Sequence, residues 1–297
     1  MIKKIISDRN IFLVMAVAAG ILFPDLAQIL KSSTFWVLAV VMTFSLSGIL
    51  TKSLFPLKTV VKPMLKGILL NHIIFGVIMI PVAFLFRYDQ NLFIGFIIIA
   101  ATPPGVAIIP FTVKSGGNLN YSILGTFGAF IASIFLAPLI IGSFSGNPDI
   151  NPFEIFKVMI LLIIIPFAAS RLLLIKRIIE PVKKVRGVII DIGFSIIIYT
   201  SVGVNSHVFV SDFSTLFKVS LGVLAVMFGG SFLLKQIIKK RVSKPDIISS
   251  QLLFAVKSSG FSVVTAIQLF GDKAAVPPTI LSVAVLIYLL VVIYKNK

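Results

Sequence analysis

The run Ile247 to Phe270, IISSQLLFAVKSSGFSVVTAIQLF, decides the fold. At about 1.5 Å per helical residue it is long enough to cross the hydrocarbon core of a bilayer. Lys257 stands about ten residues into it, roughly 15 Å deep and close to the midplane. A cation there costs on the order of 3 kcal/mol even on the lenient insertion scale. Lys257-Ser258-Ser259-Gly260 is also a sequence that invites a helix to break. A charge and a broken helix together at membrane depth point to a transport site.

The rest of the chain has the same character. Of 297 residues, 58% are hydrophobic and only 12% charged, and the mean hydropathy is +1.10. That composition belongs to a polytopic membrane protein. The apolar runs are near 20 residues long and do not alternate with period 2, which argues against an outer-membrane barrel. The formal charge of +17 does not call for nucleic acid, because the basic residues lie in short loops between apolar runs. With no cysteine, disulfides, thiolate metal sites and thiol catalysis are excluded.

Ten spans are expected, at about 11–30, 35–51, 64–86, 92–113, 119–143, 153–175, 188–208, 214–234, 247–270 and 275–294. Placing the N-terminus inside puts 21 of the 27 Lys and Arg residues on the inner side. Five fall outside, Lys31, Arg87, Lys157, Lys218 and Lys273, and Lys257 is left within the membrane. Both termini are therefore expected in the cytoplasm, in a cell inner membrane.

The loop Gly142 to Phe153 divides the spans five and five, giving repeats at 1–145 and 152–297. Five is odd, so the second repeat is inverted relative to the first, a common plan among secondary transporters. The halves carry matching breaks: Thr102-Pro103-Pro104-Gly105 in the fourth span and Lys257-Ser258-Ser259-Gly260 in the ninth.

Pro103 and Pro104 remove two backbone donors and clash with the preceding turn, while Gly105 and Gly260 permit backbone angles that other residues avoid. Backbone freed in this way must be buried in protein or line a wet cavity. The second half-helices would begin near Val106 and near Ser262, with their positive ends at mid-depth, and Ser258 or Ser259 could cap one of them. Two such ends favour an anion. A proline kink without a ligand is the plainer alternative, and paired breaks with a cation weigh against it.

These residues resemble the bile acid:sodium symporter family. The resemblance rests on Pro103-Pro104-Gly105, the loop Lys114-Ser115-Gly116-Gly117-Asn118 and Leu136-Ala137-Pro138-Leu139. It continues with Lys257-Ser258-Ser259-Gly260, then Ala266, Phe270 and Gly271-Asp272-Lys273-Ala274-Ala275, and so covers nearly the whole chain. It implies a panel of spans 1, 2, 6 and 7, a core of spans 3–5 and 8–10, and crossed fourth and ninth spans. It also implies alternating-access transport of organic anions, commonly with sodium.

The sodium ligands implied by the resemblance do not carry over. A polar pair after the fourth-span break falls on Ile108 and Ile109, a carboxylate on Leu253, and glutamines on Gly76 and Lys257. Only fifth-span hydroxyls remain, Ser122 and Thr126. Apolar side chains cannot replace oxygen ligands, and a fixed ammonium repels a second cation. The expectation is that Lys257 supplies the charge that sodium supplies in relatives, leaving a proton or no coupling ion. A sodium-coupled bile-acid-type symporter and an anion channel or uniporter are the alternatives.

Other polar residues read first as packing. His72, beside Asn71 in the third span, is first a histidine hydrogen-bonded between helices and second a proton relay. Ser122, Thr126 and Ser133 share a face of the fifth span with Ala129, and Asn205 lies near the outer end of the seventh. The chain lacks paired intramembrane carboxylates, a His cluster at metal spacing and a phosphate loop, so no enzyme, cofactor or metal is expected. The expected partners are a small anionic solute and membrane lipid. Direct contacts to the solute are expected at the backbone of Thr102 to Val106 and Ser258 to Gly260, with Lys257 behind them.

Overall fold

A computed structural model of the chain describes residues 9–49, 57–145 and 152–296. The end expected for the second span and most of the dividing loop lie outside these residues. The protein is an all-α polytopic membrane protein. Among the described residues, seven helices are long and apolar enough to cross a bilayer. They are α2 (Pro24–Leu46), α3 (Thr59–Phe84), α6 (Leu119–Phe144), α7 (Pro152–Leu172), α8 (Ile179–Val204), α9 (Phe213–Ile238) and a last helix, Lys273–Lys295. The regular α-helical part of that last one is α12 (Val276–Asn296). Shorter helices complete the bundle: α1 (Arg9–Leu22), α4 (Gln90–Ala101), α5 (Ile108–Lys114), α10 (Lys244–Ala255) and α11 (Ser259–Phe270).

The first two helices meet earlier than the hydropathy suggests. The sequence reading carries the first span to residue 30, whereas the helix stops at Leu22. Phe23, at φ −130° and ψ 62°, leaves the helical region, and Pro24 opens α2. Proline has no amide for the preceding turn and fits the first turn of a helix, so the reversal falls there. Lys31-Ser32-Ser33, which looks like a loop, is a turn inside α2. Ser33 and Thr34 donate their hydroxyls back to Leu30 O and Lys31 O, both at 2.7 Å, which keeps the polar stretch helical. Gly20 of α1 packs on Tyr199 and Val202 of α8. In α2, Ala27 lies against Gly203 and Val41 against Gly193, so α2 runs antiparallel to α8.

Glycines set two other close approaches. A Cβ on Gly67 of α3 would stand 2.1 Å from Gly125 O of α6, and one on Gly128 would stand 2.6 Å from Met64 Cβ. Small residues at a crossing are how helices approach in lipid, where apolar burial itself drives nothing. Arg171, at the end of α7, donates to Leu46 O at 2.7 Å and Ile49 O at 2.8 Å, tying α7 to the carbonyls at and just beyond the end of α2. The helix expected at 188–208 is α8, which begins at Ile179 and ends at Val204, leaving Asn205 as its C-cap.

The core forms around α4, α10 and α11. From Leu92 to Ala101 every residue of α4 is buried, which explains why this helix reads as apolar on all sides.

Candidate functional site

The stretch expected as the fourth span holds α4 and α5, and that expected as the ninth holds α10 and α11. Asp89 starts α4 by accepting from Asn91 N at 3.1 Å and Leu92 N at 3.4 Å. Partial burial works against the Asp89 carboxylate, but the Lys273 ammonium and these two amides outweigh it and hold its pKa below the usual carboxylate range. The helix ends at Thr102 because residues before proline are driven to extended angles, here φ −73° and ψ 157°. Two prolines follow. Just after α10, Val256 is extended in turn, at φ −91° and ψ 91°.

The two extended pieces cross and pair. Gly105 N donates to Val256 O at 2.8 Å, and Ser258 N donates to Pro103 O at 2.9 Å. Pro104 and Lys257 thus face each other across one antiparallel bridge. Each break satisfies the backbone groups of the other, which is what an irregular segment at membrane depth requires. Gly105 is needed for this approach and not for its angles. A Cβ there would meet Lys257 O at 3.1 Å, while positive φ occurs among the described residues only at Gly116 and Gly271. Gly260 likewise makes room, since a Cβ on it would stand 2.7 Å from the Phe194 ring of α8.

Lys257 is buried, with 1% of its surface exposed. Its Nζ donates to Asn71 Oδ1 at 3.0 Å, Ala100 O at 3.1 Å and Asn71 O at 3.2 Å. Three acceptors match the three protons of an ammonium; a neutral amine has only two N–H groups. The Phe75 ring centroid lies 5.0 Å away on another side. Ala100 O belongs to the last turn of α4, where carbonyls lack helical partners. Asn71 does the complementary work for α10: its Nδ2 donates to Leu253 O at 3.2 Å. Lys257 therefore sits where the negative ends of α4 and α10 converge.

Hydroxyls lock the other halves. Thr102 Oγ1 donates to Ile99 O at 3.2 Å and lies 2.7 Å from Ser262 Oγ, which reaches Ser258 O at 3.0 Å. The second half-helices begin at Ile108 and Ser259, two residues after Val106 and three before Ser262. Ser258 holds the N-cap position of α11 without a side-chain capping bond. α5 is only seven residues long, so its dipole is small.

Of the nine residues expected at the crossing, only Val106 and Ser259 are partly exposed; Thr102, Pro103, Pro104, Gly105, Lys257, Ser258 and Gly260 are buried. Ser259 lines a cavity of about 30 Å³ with Leu13, Phe194 and Ser282. It adjoins an apolar cavity of about 350 Å³ between α1 and α12, lined by Val17, Ile198 and Leu286 among others.

The remaining expected residues scatter. Asn71 joins the crossing through Lys257. His72 Nε2 lies 3.1 Å from Ala129 O and 3.0 Å from Ser133 Oγ, tying α3 to α6. Ser122 accepts from Thr112 Oγ1 at 2.8 Å, and Thr126 Oγ1 is buried without a hydrogen-bond partner. Asn205 is away from the crossing, donating to Asp272 O at 2.9 Å. Where relatives are expected to hold sodium, Ile108 and Leu253 are fully buried apolar side chains, Gly76 is buried and Ile109 is half-buried. The sequence reading did not foresee Ala100 or Phe75 as partners of Lys257. Asn71 and His72 sit in a π turn, Leu69–Ile74, that breaks the helical spacing on which face assignments rest.

A membrane-embedded helical bundle with two broken helices bridged around a buried lysine has the plan of a membrane transporter. The SBF-like CPA transporter family matches residues 10–294, and the chain belongs to that family. No functionally curated protein matches it.

Proposed function

We propose that this protein is a secondary active transporter of a small organic anion, working by alternating access and without sodium. The observation that carries the reading is the triple coordination of the Lys257 ammonium between the ends of α4 and α10. A cation is fixed there by covalent bonds, so no free ion need be recruited. The anion would meet the crossing from its partly exposed side, at Val106 and Ser259, with Lys257 behind. The apolar cavity beside Ser259 favours a solute with a hydrocarbon portion.

The proposed layout has ten crossings in two inverted five-helix repeats, 1–145 and 152–297. Support comes from the hairpin at Phe23, which supplies two crossings, and from two broken spans whose first halves are 12 residues each. The third and eighth spans also carry π turns, Leu69–Ile74 and Ala225–Gly230. The panel would be α1, α2, α7 and α8, and the core α3–α6 and α9–α12. The distribution of Lys and Arg supports a cell inner membrane with both termini cytoplasmic.

The test is uptake into proteoliposomes of a panel of radiolabelled monocarboxylates, with sodium or choline as the sole cation. The expected result is saturable uptake that is equal in the two salts. A steep sodium requirement would refute sodium independence in favour of a symporter, and single-channel conductance would refute a carrier.

A further inference from the structure

A seam runs between α8 and the end of α12 nearest the Phe23 reversal, on the side of the molecule away from the chain termini. Lys31 Nζ, in α2, lies 2.7 Å from Asp272 Oδ1, in the turn before α12. The contact is an ion pair and not an aligned hydrogen bond, and each side chain is about one-third exposed. Asn205, at the end of α8, donates its amide to Asp272 O at 2.9 Å and to Ser201 O at 3.1 Å. Below them the hydroxyls of Ser201 and Thr279 bond across the same seam, both fully buried. Gly271 aims Asp272 at the seam. Its φ of 89° and ψ of −179° lie in a region open essentially to glycine alone.

One turn farther along α12 than Thr279, Ser282 lines both cavities next to the crossing. Three polar contacts are thus stacked on the Asp272 side of the cavity. The neighbouring pair, Lys273 with Asp89 at 2.7 Å, joins the start of α4 to the start of α12 and does not cross the seam. Adjacent residues of one turn therefore do different things: Lys273 holds its own body together, and Asp272 reaches to the other.

We propose that Asp272 is the latch of a gate, held by Lys31 and Asn205, that closes the cavity on this side and must release for the solute to pass. This rests on the alternating-access reading above. A sliding or rocking of α12 against α8 would break an exposed ion pair and one hydrogen bond, while the buried Ser201–Thr279 contact supplies the seal. Polar contacts suit a gate because water can replace them when it opens, which it cannot do for interlocked apolar packing.

The chain has no cysteine, so a single reporter can be introduced directly. Ser282→Cys reports the cavity, and Tyr88→Cys, on an exposed loop, identifies the Asp272 side. Reconstituted protein is treated with a membrane-impermeant maleimide. Lys31→Ala or Asp272→Ala should speed labelling of the Ser282→Cys reporter from the Tyr88 side by about fivefold. The reversed pair, Lys31→Asp with Asp272→Lys, should return the rate to near that of the reporter alone and also controls for folding. A measurable rate that no variant changes, or a gain that the reversed pair fails to undo, overturns the latch and leaves transport standing. Complete protection from the Tyr88 side in every variant, with full labelling from the opposite side, overturns both the latch and alternating access.

Discussion

Replacing Lys257 with Met keeps an unbranched side chain, one atom shorter, and removes its three donors. Asn71 O, Asn71 Oδ1 and Ala100 O then face a methyl group in a place sealed from water. Leaving a buried acceptor unpaired costs about 1–3 kcal/mol, so the three together set a gross loss of roughly 3–9 kcal/mol. Removing a desolvated charge offsets part of this, because burying an ion costs several kcal/mol before its partners compensate it. A net loss of about 3 kcal/mol follows, equivalent to a melting temperature lower by roughly 6–12 °C for a chain of this size. Lys257→Gln retains one amide with two donors and should lie between the two. The assay is unfolding in detergent followed by intrinsic fluorescence, with the three proteins scanned at one rate. A Met variant that melts at or above the wild type would refute the reasoning. The desolvation of the ammonium would then outweigh its bonds, and Lys257 would be retained for transport alone.

Shortening the same side chain to Ala leaves the three oxygens around a void, and ammonium chloride should raise the melting temperature of Lys257→Ala while choline chloride does not; equal effects of the two salts would count against a cation seat. Gly67→Ala forces a Cβ to within 2.1 Å of the Gly125 carbonyl, so it should destabilise the fold by about 3 kcal/mol, measured as lost folded yield. Gly105→Ala puts a Cβ 3.1 Å from the Lys257 carbonyl and Gly260→Ala puts one 2.7 Å from the buried Phe194 ring, so both should cut transport, read as initial uptake. The Asp89 pKa is depressed in the folded protein, so the stability it contributes is present above the unfolded carboxylate value and lost as pH falls through the lower folded one. The melting temperature should therefore drop on acidification into and below the usual carboxylate range, and Asp89→Asn should remove that part of the drop.

Much of the fold is legible because hydrophobic length is a strong signal in lipid, where helices must satisfy their own backbone. The break at Pro103-Pro104 is also legible, since proline acts locally, whereas the second falls at Val256 to Ser258, just before the Ser259 and Gly260 that open α11. The misjudged boundary at Phe23 has a definite cause. Hydropathy weighs residues and not angles, so an apolar run conceals a reversal inside it. The true marker was Pro24, and the polar Lys31-Ser32-Ser33 distracted from it because its hydroxyls fold back onto the helix. The crossing illustrates a second limit. Glycine and lysine there could be identified, but their roles depend on distance. Gly105 and Gly260 are required by the close approach of Lys257 O and Phe194 respectively, both of which lie far off in the sequence. The partners of the ammonium are a backbone oxygen in α4 and both oxygens of a residue in a π turn. Nothing in the spacing marks either.

The position of the ammonium bears on what could drive transport. Each helix C-terminus carries about half a negative charge, so the ends of α4 and α10 together present roughly one. One lysine offsets them, and the crossing is electrically complete without an exchangeable ion. A bound sodium ion can leave when its site opens, and its gradient then performs work on the solute. Lys257 is tethered by its own backbone and cannot leave. On the proposed alternating-access reading, a charge carried within a moving core would return with that core in every cycle and extract nothing from a sodium gradient. On the proposed reading, the fixed cation would preserve the geometry of a sodium-stabilised crossing while giving up its coupling. Any driving force would then have to come from the solute's own gradient, from the membrane potential acting on its charge, or from a proton carried elsewhere.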